Sequence, residues 1–451
     1  MLETHIIPVT DDSEGEDKFI IYRPLLGLAF VGNRAMANLA MNLSEMDYPS
    51  DDHLEDEAIQ FLKGVGFFLP DNPPSKPETS LSSTVLLMTN QCQLRCTYCY
   101  AAAGEFTPKV LNTETALAAI NYACAQAMQE GKQTLLLEFH GGGEPTLGWK
   151  TIQESVKHAR SLPIPAKISI TTNAMWLKEQ CEWLIANMDG MTISMDGGKE
   201  TQDRNRPISS GKPSSPIVMR NIKTLDDKGF RYGIRMTAVR PWNSLPENVK
   251  FILDNTACRN IQVEPAFNSA RGQHDSGSTE DQNSFIEAFE EAYLIARSYK
   301  AELQFPGARP GLVTHNFCTA PYQALIVNPD NQITTCYEVS NSSHPLYNYS
   351  MFGQVENNQD IHLIPGAREK LHALIAKRQD QCRQCFCRWS CAGDCYVRMF
   401  EISSNGQVVF GGRCSMNQEL TAFVLLDMIS EAGGVWQRFA RKSPEEEFPY
   451  G

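Results

Sequence analysis

The sequence contains no uncharged apolar run approaching the ~18–20 residues that a membrane span requires. Its first residues are acidic and include no apolar segment typical of a secretory signal peptide. It has no local cluster of lysine and arginine, and its formal net charge is −13. These absences argue against membrane insertion, secretion and a dominant nucleic-acid partner. We therefore expect a cytoplasmic protein.

Fourteen cysteines are conspicuous in such a chain. Clustered cysteines in a long cytosolic protein indicate metal binding or catalysis more often than disulfide bonds. Three of them lie within 92–99 and five within 382–395. Cys124, Cys181 and Cys258 stand alone among apolar residues, so we interpret them as small buried core residues.

Residues 1–75 are predicted to form a winged-helix-like α+β module. Residues 18–31 have the composition of two short strands, and two later stretches place apolar side chains on one helical face. These side chains are Met36, Leu39, Ala40 and Leu43, then Leu54, Ala58, Phe61 and Leu62, with Gly64 ending the second helix. Residues 70–83 are rich in proline and serine, which is typical of a linker, and we place the linker at 76–84.

Strand-like and helical segments then alternate. The strand-like runs are 85–89, 134–139, 167–172, 191–195, 231–239 and 260–265, and 113–130 is one of the helices between them. Several runs are mostly apolar without clean alternation, which is expected for parallel strands covered on both sides. We predict an α/β fold with a partial (β/α)6 TIM-like barrel at 85–285, whose active-site residues follow the strands. Residues 268–283 are polar and are predicted to form a surface loop.

Cys92, Cys96 and Cys99 follow the first of these strands with the spacing C-x3-C-x2-C. Three thiolates on one loop can hold three irons of a [4Fe–4S] cluster and leave the fourth iron open to a chelating small molecule. The alternatives are a zinc site and chance spacing. A structural zinc site needs four ligands, and no fourth cysteine or histidine lies nearby in the sequence.

This loop resembles that of the radical S-adenosylmethionine (SAM) superfamily, and later motifs extend the resemblance over about 85–425. GGGEP at 141–145, ITTNA at 170–174 and ISMDG…DRNRP at 193–207 are similar to motifs that bind SAM in that family. The resemblance implies that SAM contacts Tyr98, Gly142, Gly143, Glu144, Thr172, Asn173, Ser194 and Arg206. Ala174 departs from the family pattern, which usually has glycine there.

The last cysteines resemble the SPASM domain of peptide-modifying radical SAM enzymes. The resemblance implies three [4Fe–4S] clusters in all, two of them auxiliary. Cys382, Cys385, Cys391 and Cys414 would hold one auxiliary cluster, and Cys318, Cys336 and Cys395 the other, with His315, Cys387 or substrate as candidate fourth ligands. Asn331 replaces the usual glycine of a turn, where it can also adopt positive φ. A bridging region and this domain are expected at 286–430, followed by a tail at 431–451 whose last ten residues are expected to be disordered.

The resemblance also implies the chemistry. The reduced first cluster would cleave SAM to methionine and a 5′-deoxyadenosyl radical, which abstracts a hydrogen atom from the substrate. An electron donor such as flavodoxin or ferredoxin would reduce the cluster. Glu264, at the end of the last strand, and Asp196 are candidates for the base that accepts a proton.

The N-terminal module resembles the precursor-peptide recognition element of maturases, which binds a leader peptide by adding it to a sheet edge. This predicts an enzyme that installs an oxidative modification, such as a cross-link or thioether, on a ribosomal precursor peptide. Two alternatives stay open. One is an anaerobic sulfatase-maturating enzyme that forms formylglycine, and the other is a non-enzymatic iron–sulfur electron-transfer or scaffold protein.

Overall fold

The computed structural model describes residues 2–9, 17–45, 57–77, 79–267, 271 and 277–438. The predicted disorder of the last ten residues, Leu54 of the predicted second helix and half of the predicted loop at 268–283 lie outside this part of the chain. Within it, no helix has the length and apolar character needed to cross a bilayer.

The N-terminal module contains an antiparallel sheet. Its elements are β1 (His5–Val9), β2 (Lys18–Arg23), β3 (Leu28–Asn33), α1 (Arg34–Glu45) and α2 (Glu57–Gly64). Both strands predicted within 18–31 are present, and the second helix ends at Gly64 as predicted. β1 was not predicted, because its five residues include a proline and show little apolar alternation.

A strand from the far end of the chain completes this sheet. β17 (Val435–Gln437) pairs antiparallel with β3, giving the order β1-β2-β3-β17. One face of the sheet packs against α1 and α2, and the other packs against Leu425 and Ile429 of a C-terminal helix. The structure thus places a strand inside the range that was expected to be a tail. A three-residue strand lacks a local signal, because a partner about 400 residues away provides its hydrogen bonds.

The central domain is a partial barrel, which confirms the predicted fold class. Its strands are β4 (Ser83–Leu87), β5 (Leu135–His140), β6 (Ala166–Thr172), β7 (Gly190–Ser194), β8 (Tyr232–Ala238), β9 (Asn260–Pro265) and β10 (Glu302–Gln304). They lie side by side in sequence order, and each is parallel to its neighbour. All six predicted strands are present, within about two residues of their expected bounds.

Helices cover the outside of the barrel. They are α3 (Thr113–Gln129), α4 (Trp149–Ala159), α5 (Lys178–Asn187), α6 (Lys199–Asn205), α7 (Ser215–Asp227), α8 (Leu245–Asn255) and α9 (Thr279–Ser298). α9 begins inside the segment that was predicted to be a loop, so that prediction is wrong from Thr279 onward. The cause is a capping box, in which Ser278 and Asp281 each accept a hydrogen bond from the other's backbone N–H.

The two faces of the barrel strands differ in polarity, contrary to the expectation from sequence. In β6 the buried residues Ile168 and Ile170 join the core under the helices, while Ser169 and Thr171 face the interior and are half-buried. The same alternation places Glu138 of β5 on the interior face. The open barrel therefore has a polar interior, because its inner face lines a cavity instead of packing against a second layer.

The C-terminal domain continues the barrel sheet. Its elements are α10 (Ala320–Gln323), β11 (Ala324–Val327), β12 (Gln332–Thr334), α11 (Tyr347–Ser350), β13 (Met351–Glu356), β14 (Asp360–Leu363), α12 (Ala367–Gln381), α13 (Arg388–Cys391), α14 (Tyr396–Met399), β15 (Phe400–Ile402), β16 (Val408–Phe410) and α15 (Cys414–Glu431). β11 is parallel to β4, and β12, β13 and β14 follow as an antiparallel meander. Asn331, in the turn before β12, has φ of 61°, as predicted.

Helix α15 connects the three parts of the molecule. It begins at Cys414, its residues Met416 and Leu420 belong to the barrel core, and Leu425 and Ile429 pack on the N-terminal sheet. The weak periodicity of this region did not predict such a helix, because its buried side chains contact different partners on different faces. The N-terminal module is therefore anchored by the C-terminal end of the chain.

Candidate functional site

The loop that contains Cys92, Cys96 and Cys99 follows β4 and is attached to a second segment that contains Arg206. Arg95 N–H donates to the Pro207 carbonyl at 2.8 Å, and Thr97 N–H donates to the Asn205 carbonyl at 2.9 Å. These backbone hydrogen bonds hold the two residues that flank Arg206 against the cysteine loop. The Arg206 guanidinium reaches Cys96, with 3.9 Å between Nη1 and Sγ.

Three thiols on one loop could hold three irons of a [4Fe–4S] cluster. Among the described residues, no three His, Cys, Asp or Glu side chains converge closely enough to bind one metal ion. Single-ion geometry would require sulfurs about 2.3 Å from a shared zinc, whereas a cubane spreads its ligands around several irons. Burial raises the pKa of Cys92 to about 12 and that of Cys96 to about 11. These cysteines therefore need a positively charged partner, such as iron, in order to bind as thiolates.

Glu144 is a buried carboxylate held on several sides at the next strand end. Its Oε1 accepts hydrogen bonds of 2.7 Å from the hydroxyls of Thr146 and Thr172, and its Oε2 accepts one of 2.9 Å from Asn173 N–H. Burial is the main influence on this group and raises its pKa. The bonds hold the carboxylate in place beside the cysteine loop, since Glu144 N–H also donates to the Gln91 carbonyl at 2.8 Å.

The glycines before Glu144 allow this close approach. A Cβ atom on Gly143 would lie 2.0 Å from the Gln91 carbonyl oxygen, whereas one on Gly142 would meet no heavy atom closer than 3.5 Å. Only glycine therefore fits at 143, because the clashing atom is backbone and cannot rotate away.

We expect Gly143→Ala to weaken SAM binding by at least about tenfold, since the methyl group forces Gln91, and with it Cys92, away from Glu144. Gly142→Ala should cause a much smaller loss, because its new Cβ makes only ordinary contacts. Equilibrium binding of SAM to the reconstituted variants measures the difference. Equal SAM affinity in native protein and Gly143→Ala would contradict the assigned role of this turn.

Asp196 follows β7 and organises Tyr98 and Arg206. Tyr98 Oη donates to Asp196 Oδ2 at 2.5 Å, and Arg206 Nε donates to Asp196 Oδ1 at 2.9 Å. Thr237 N–H donates to the same Oδ1 at 3.1 Å, and the Arg206 guanidinium lies 5.3 Å from the centre of the Tyr98 ring. The Asp196 side chain is fully buried. These contacts favour a positioning role for Asp196 over the role of base that the sequence suggested.

The remaining predicted SAM contacts lie at the ends of β6 and β7. Asn173 Nδ2 is 3.5 Å from Cys92 Sγ, which joins this strand end to the cysteine loop. Ala174 has φ of 58°, a left-handed conformation that favours glycine. Ser194 is the last residue of β7 and is paired in register with Arg235 of β8. The structure thus brings the predicted SAM-binding residues of several strands to one end of the barrel.

The C-terminal cysteines form two groups. Burial raises the pKa of Cys336, and negative charge at Cys395 and Cys318 raises it further, which shows that these three thiols are neighbours. Burial also raises the pKa of Cys391, with further contributions from Cys382 and Cys414. Cys385 belongs to this second group, because it acts in the same way on Cys382.

The two candidate protein ligands for the incomplete group differ in position. Cys387 lies beside the other group, where its hydrogen bond lowers the pKa of Cys385 to about 6. It is therefore not positioned as the fourth ligand of the group with Cys318. The His315 ring packs edge-on against Trp389, with 5.2 Å between ring centroids, and no described contact joins it to Cys318.

Glu264 is part of a buried ionic network. Arg413 donates hydrogen bonds to Glu264 and to Asp394, and Arg398 lies 3.7 Å from Glu264. Arg398 also pairs with Glu338 at 2.9 Å. Two guanidinium groups therefore flank the Glu264 carboxylate. We interpret Glu264 as a link between the barrel and the C-terminal domain.

A cavity inside the barrel contains functional candidates that sequence reasoning missed. Glu138, His140 and Arg235 project from β5 and β8, and Tyr337 and Cys318 of the C-terminal domain complete its wall. Burial lowers the pKa of His140, so its imidazole is held neutral. The available signal was the alternation of polar residues in LEFH and GIRMT, which becomes informative only when the inner face of the sheet is known.

Comparison with known proteins identifies the central domain. The model of the radical SAM superfamily matches residues 86–250. These residues form a radical SAM domain. The match contains the cysteine loop, Glu144, Ser194 and Arg206.

Two curated relatives are similar to this chain in sequence, and one solved structure is similar to it in fold. The sporulation killing factor maturation protein SkfB of Bacillus subtilis is 25% identical over 266 residues, which cover 56% of this chain and 60% of SkfB. The cysteine-type anaerobic sulfatase-maturating enzyme of Clostridium novyi is 30% identical over 167 residues, or 34% of this chain and 43% of that enzyme. The chain spans less than two thirds of the length of either relative.

The fold is also that of native anSMEcpe with bound AdoMet and Kp18Cys peptide, with a TM-score of 0.58 at 16% identity. The superposition covers 78% of this chain and 99% of that chain.

A radical SAM domain implies SAM and a [4Fe–4S] cluster, and the residues present fit both. Three buried thiols on one loop would hold three irons. Arg206, oriented by Asp196, is suited to a carboxylate, and the rigid Glu144 carboxylate is suited to an ammonium group. SAM carries both of these groups on one methionyl end.

Proposed function

We propose that this chain is a radical SAM maturase that installs an oxidative modification on a ribosomal precursor peptide. The observation that carries the proposal is the attachment of the three-cysteine loop to Arg206, Glu144 and Asn173 at one end of the barrel. Similarity to SkfB and the N-terminal sheet module support a peptide as the substrate.

When bound, the reduced cluster and SAM supply a 5′-deoxyadenosyl radical that abstracts a hydrogen atom. The chain's own residues hold SAM at Glu144, Ser194 and Arg206 and orient Arg206 through Asp196. The interior residues Glu138 and His140 are the candidates that receive a proton, because they face the cavity, whereas Glu264 and Asp196 are held by other groups. Enclosure by the barrel and C-terminal domain keeps water from the reacting carbon.

The C-terminal cysteines would hold two auxiliary clusters beside this cavity. Cys318 lines the cavity itself and belongs to the group that has three thiols. A flavodoxin or ferredoxin is the expected electron donor. Iron content of about twelve atoms per reconstituted chain would agree with three clusters.

The N-terminal sheet is the expected binding site for the leader segment of the peptide. Among the described residues, β1 and β17 are the two edge strands of this sheet, and a groove lies next to β1. This groove is lined by Thr4, His5 and Ile6 on one side and by Arg34, Asn38 and Met41 of α1 on the other. An extended peptide in this groove would pair with β1 and place side chains against α1.

We expect Met41→Glu to weaken binding of the precursor peptide by about tenfold, because it places a charge in the apolar part of the groove. Asn42→Glu is the matched control, since Asn42 is exposed on the same helix and does not line the groove. The probe is the peptide encoded by a short open reading frame beside the gene, and fluorescence anisotropy measures its affinity. Equal affinities for both variants would contradict this binding site.

Substitution is preferable to removal of the module. Deleting residues 1–75 would unpair β17 and expose Leu425 and Ile429 of α15, so lost peptide binding would then not distinguish recognition from unfolding. With native protein, we expect the same peptide to change in mass in step with the formation of 5′-deoxyadenosine. An unchanged peptide mass would contradict the proposed function.

Formylglycine formation is the second candidate, favoured by the 30% identity to the Clostridium novyi enzyme. A sulfatase-derived peptide that contains cysteine tests it. Conversion of that peptide, with no change in the precursor peptide, would replace the maturase proposal by this one.

A further inference from the structure

Two basic side chains, Lys167 and Arg235, line the barrel cavity, and the described residues provide no ion pair for Arg235. Arg235 lies on the interior face of β8, and its backbone is fixed by pairing with Ser194 of β7 and Gln262 of β9. Among the residues that the structure describes, its guanidinium has no hydrogen-bond or ion-pair partner. Its positive charge acts on His140 and Tyr100, which places it within the cavity and not at the outer surface.

Among the described residues, Glu138 is the carboxylate that lines the cavity, and no described ion pair joins it to Arg235. Glu138 accepts hydrogen bonds from Thr171 at 3.1 Å and from Tyr337 at 3.3 Å. Glu338 pairs with Arg398 at 2.9 Å. The protein therefore supplies no carboxylate to Arg235, although the other arginines around the site, Arg206 and Arg413, are each paired with an aspartate.

An unpaired guanidinium in a partly enclosed cavity indicates an anionic ligand. Removing the charge from bulk water has a free-energy cost that only a partner of opposite charge offsets fully. A guanidinium binds a carboxylate through two parallel hydrogen bonds, which adds geometric selectivity to the attraction. The SAM carboxylate already has a candidate partner in Arg206, which is attached to the cysteine loop. Arg235 lines the cavity together with Cys318 and Tyr337.

We propose that Arg235 binds an aspartate or glutamate side chain of the substrate peptide inside the barrel and thereby selects the segment that is modified. This inference rests on the proposed peptide-maturase function and adds a substrate class to it. The acidic side chain would hold the neighbouring residue, which is the one to be modified, in the cavity. Arg235 is thus a specificity residue for substrate, distinct from the SAM contacts.

The test uses two pools of short capped synthetic peptides that differ only at the central position. One pool has aspartate there and the other asparagine, and the flanking positions are randomised among uncharged residues. Reconstituted full-length protein is assayed for binding of the fluorescein-labelled pools by equilibrium dialysis, and for 5′-deoxyadenosine formation with and without peptide. The variants are Arg235→Gln, Arg235→Lys, Arg206→Gln and the exposed control Arg220→Gln on α7.

We expect native protein and Arg220→Gln to bind the aspartate pool about tenfold more tightly than the asparagine pool, as for one charge-assisted bidentate contact. Arg235→Gln should bind the two pools equally, and Arg235→Lys should keep part of the difference. Formation of 5′-deoxyadenosine without peptide should persist in Arg235→Gln and fall in Arg206→Gln.

Three outcomes would overturn the inference. Equal binding of both pools by native protein removes the carboxylate site but leaves the maturase function intact. Absence of binding by either pool also removes it, while the precursor-peptide experiment decides the function separately. Loss of peptide-free SAM cleavage in Arg235→Gln, to the level of Arg206→Gln, would assign Arg235 to SAM instead of substrate.

Discussion

Replacement of Cys96 by alanine is expected to abolish 5′-deoxyadenosine formation and to lower iron content by about four atoms per chain, because a cluster held by three thiolates does not survive on two. Cys96 is the loop thiol that lies beside Arg206 and whose carbonyl accepts a hydrogen bond from Arg271 at 2.6 Å. Its loss therefore affects the centre of the proposed site. Iron analysis and chromatographic detection of 5′-deoxyadenosine measure the two effects.

Cys124→Ala is the matched control for Cys96→Ala. Cys124 is a buried residue of α3, it packs in the barrel core, and it is far in sequence from all three cysteine groups. Alanine is well tolerated in a helix and removes only one buried sulfur. Iron content and product formation should therefore match those of native protein. If Cys96→Ala kept full iron and full product formation, the first cluster would have to be held elsewhere.

The second large effect is expected at Asp196. Asp196→Asn removes the negative charge that holds Arg206, which is 8% exposed in its side chain and so becomes an unpaired buried cation. Breaking such a pair costs about 3–5 kcal/mol of unfolding free energy. Affinity for SAM should also fall, because Tyr98 and Arg206 lose the group that orients both of them.

Denaturant unfolding of the apoprotein and SAM binding to the reconstituted protein separate the two consequences of Asp196→Asn. Asp227→Asn is the control, since Asp227 forms the same kind of pair with Lys223 on an exposed helix face. That pair is screened by solvent, so its loss should leave stability and SAM affinity unchanged. Unaltered SAM affinity in Asp196→Asn would mean that Arg206 does not depend on Asp196 for its position.

Local signals in the sequence predicted much of the central domain. Each of the barrel strands β4 to β9 contains apolar residues enough to be recognised, and α3 has both an N-cap at Asn112 and a consistent buried face. The motif residues were also identifiable, because the chemistry of a three-thiolate loop depends on spacing within a few positions. A functional motif whose residues lie within a few positions of one another can therefore be identified from the sequence.

The roles that the sequence did not reveal depend on contacts between residues far apart in the chain. Whether Glu264 acts as a base or as an anchor depends on Arg413 and Arg398, which are more than 130 residues away. The role of Asp196 likewise depends on Tyr98 from another loop. The register between neighbouring strands, which decides that Glu138 and Arg235 share a cavity, has no local signature.

The sequence by itself determined the order of the strands and helices in the barrel, the three-cysteine loop and the positions of the motif residues, because each depends on side chains close together in the chain. The tertiary structure decided which charged residues form ion pairs. It paired β17 with the N-terminal sheet, linked three regions through α15 and placed Arg235 in a polar cavity where no described residue forms an ion pair with it. Pairing energies between remote residues decide such features, and a single sequence does not display them.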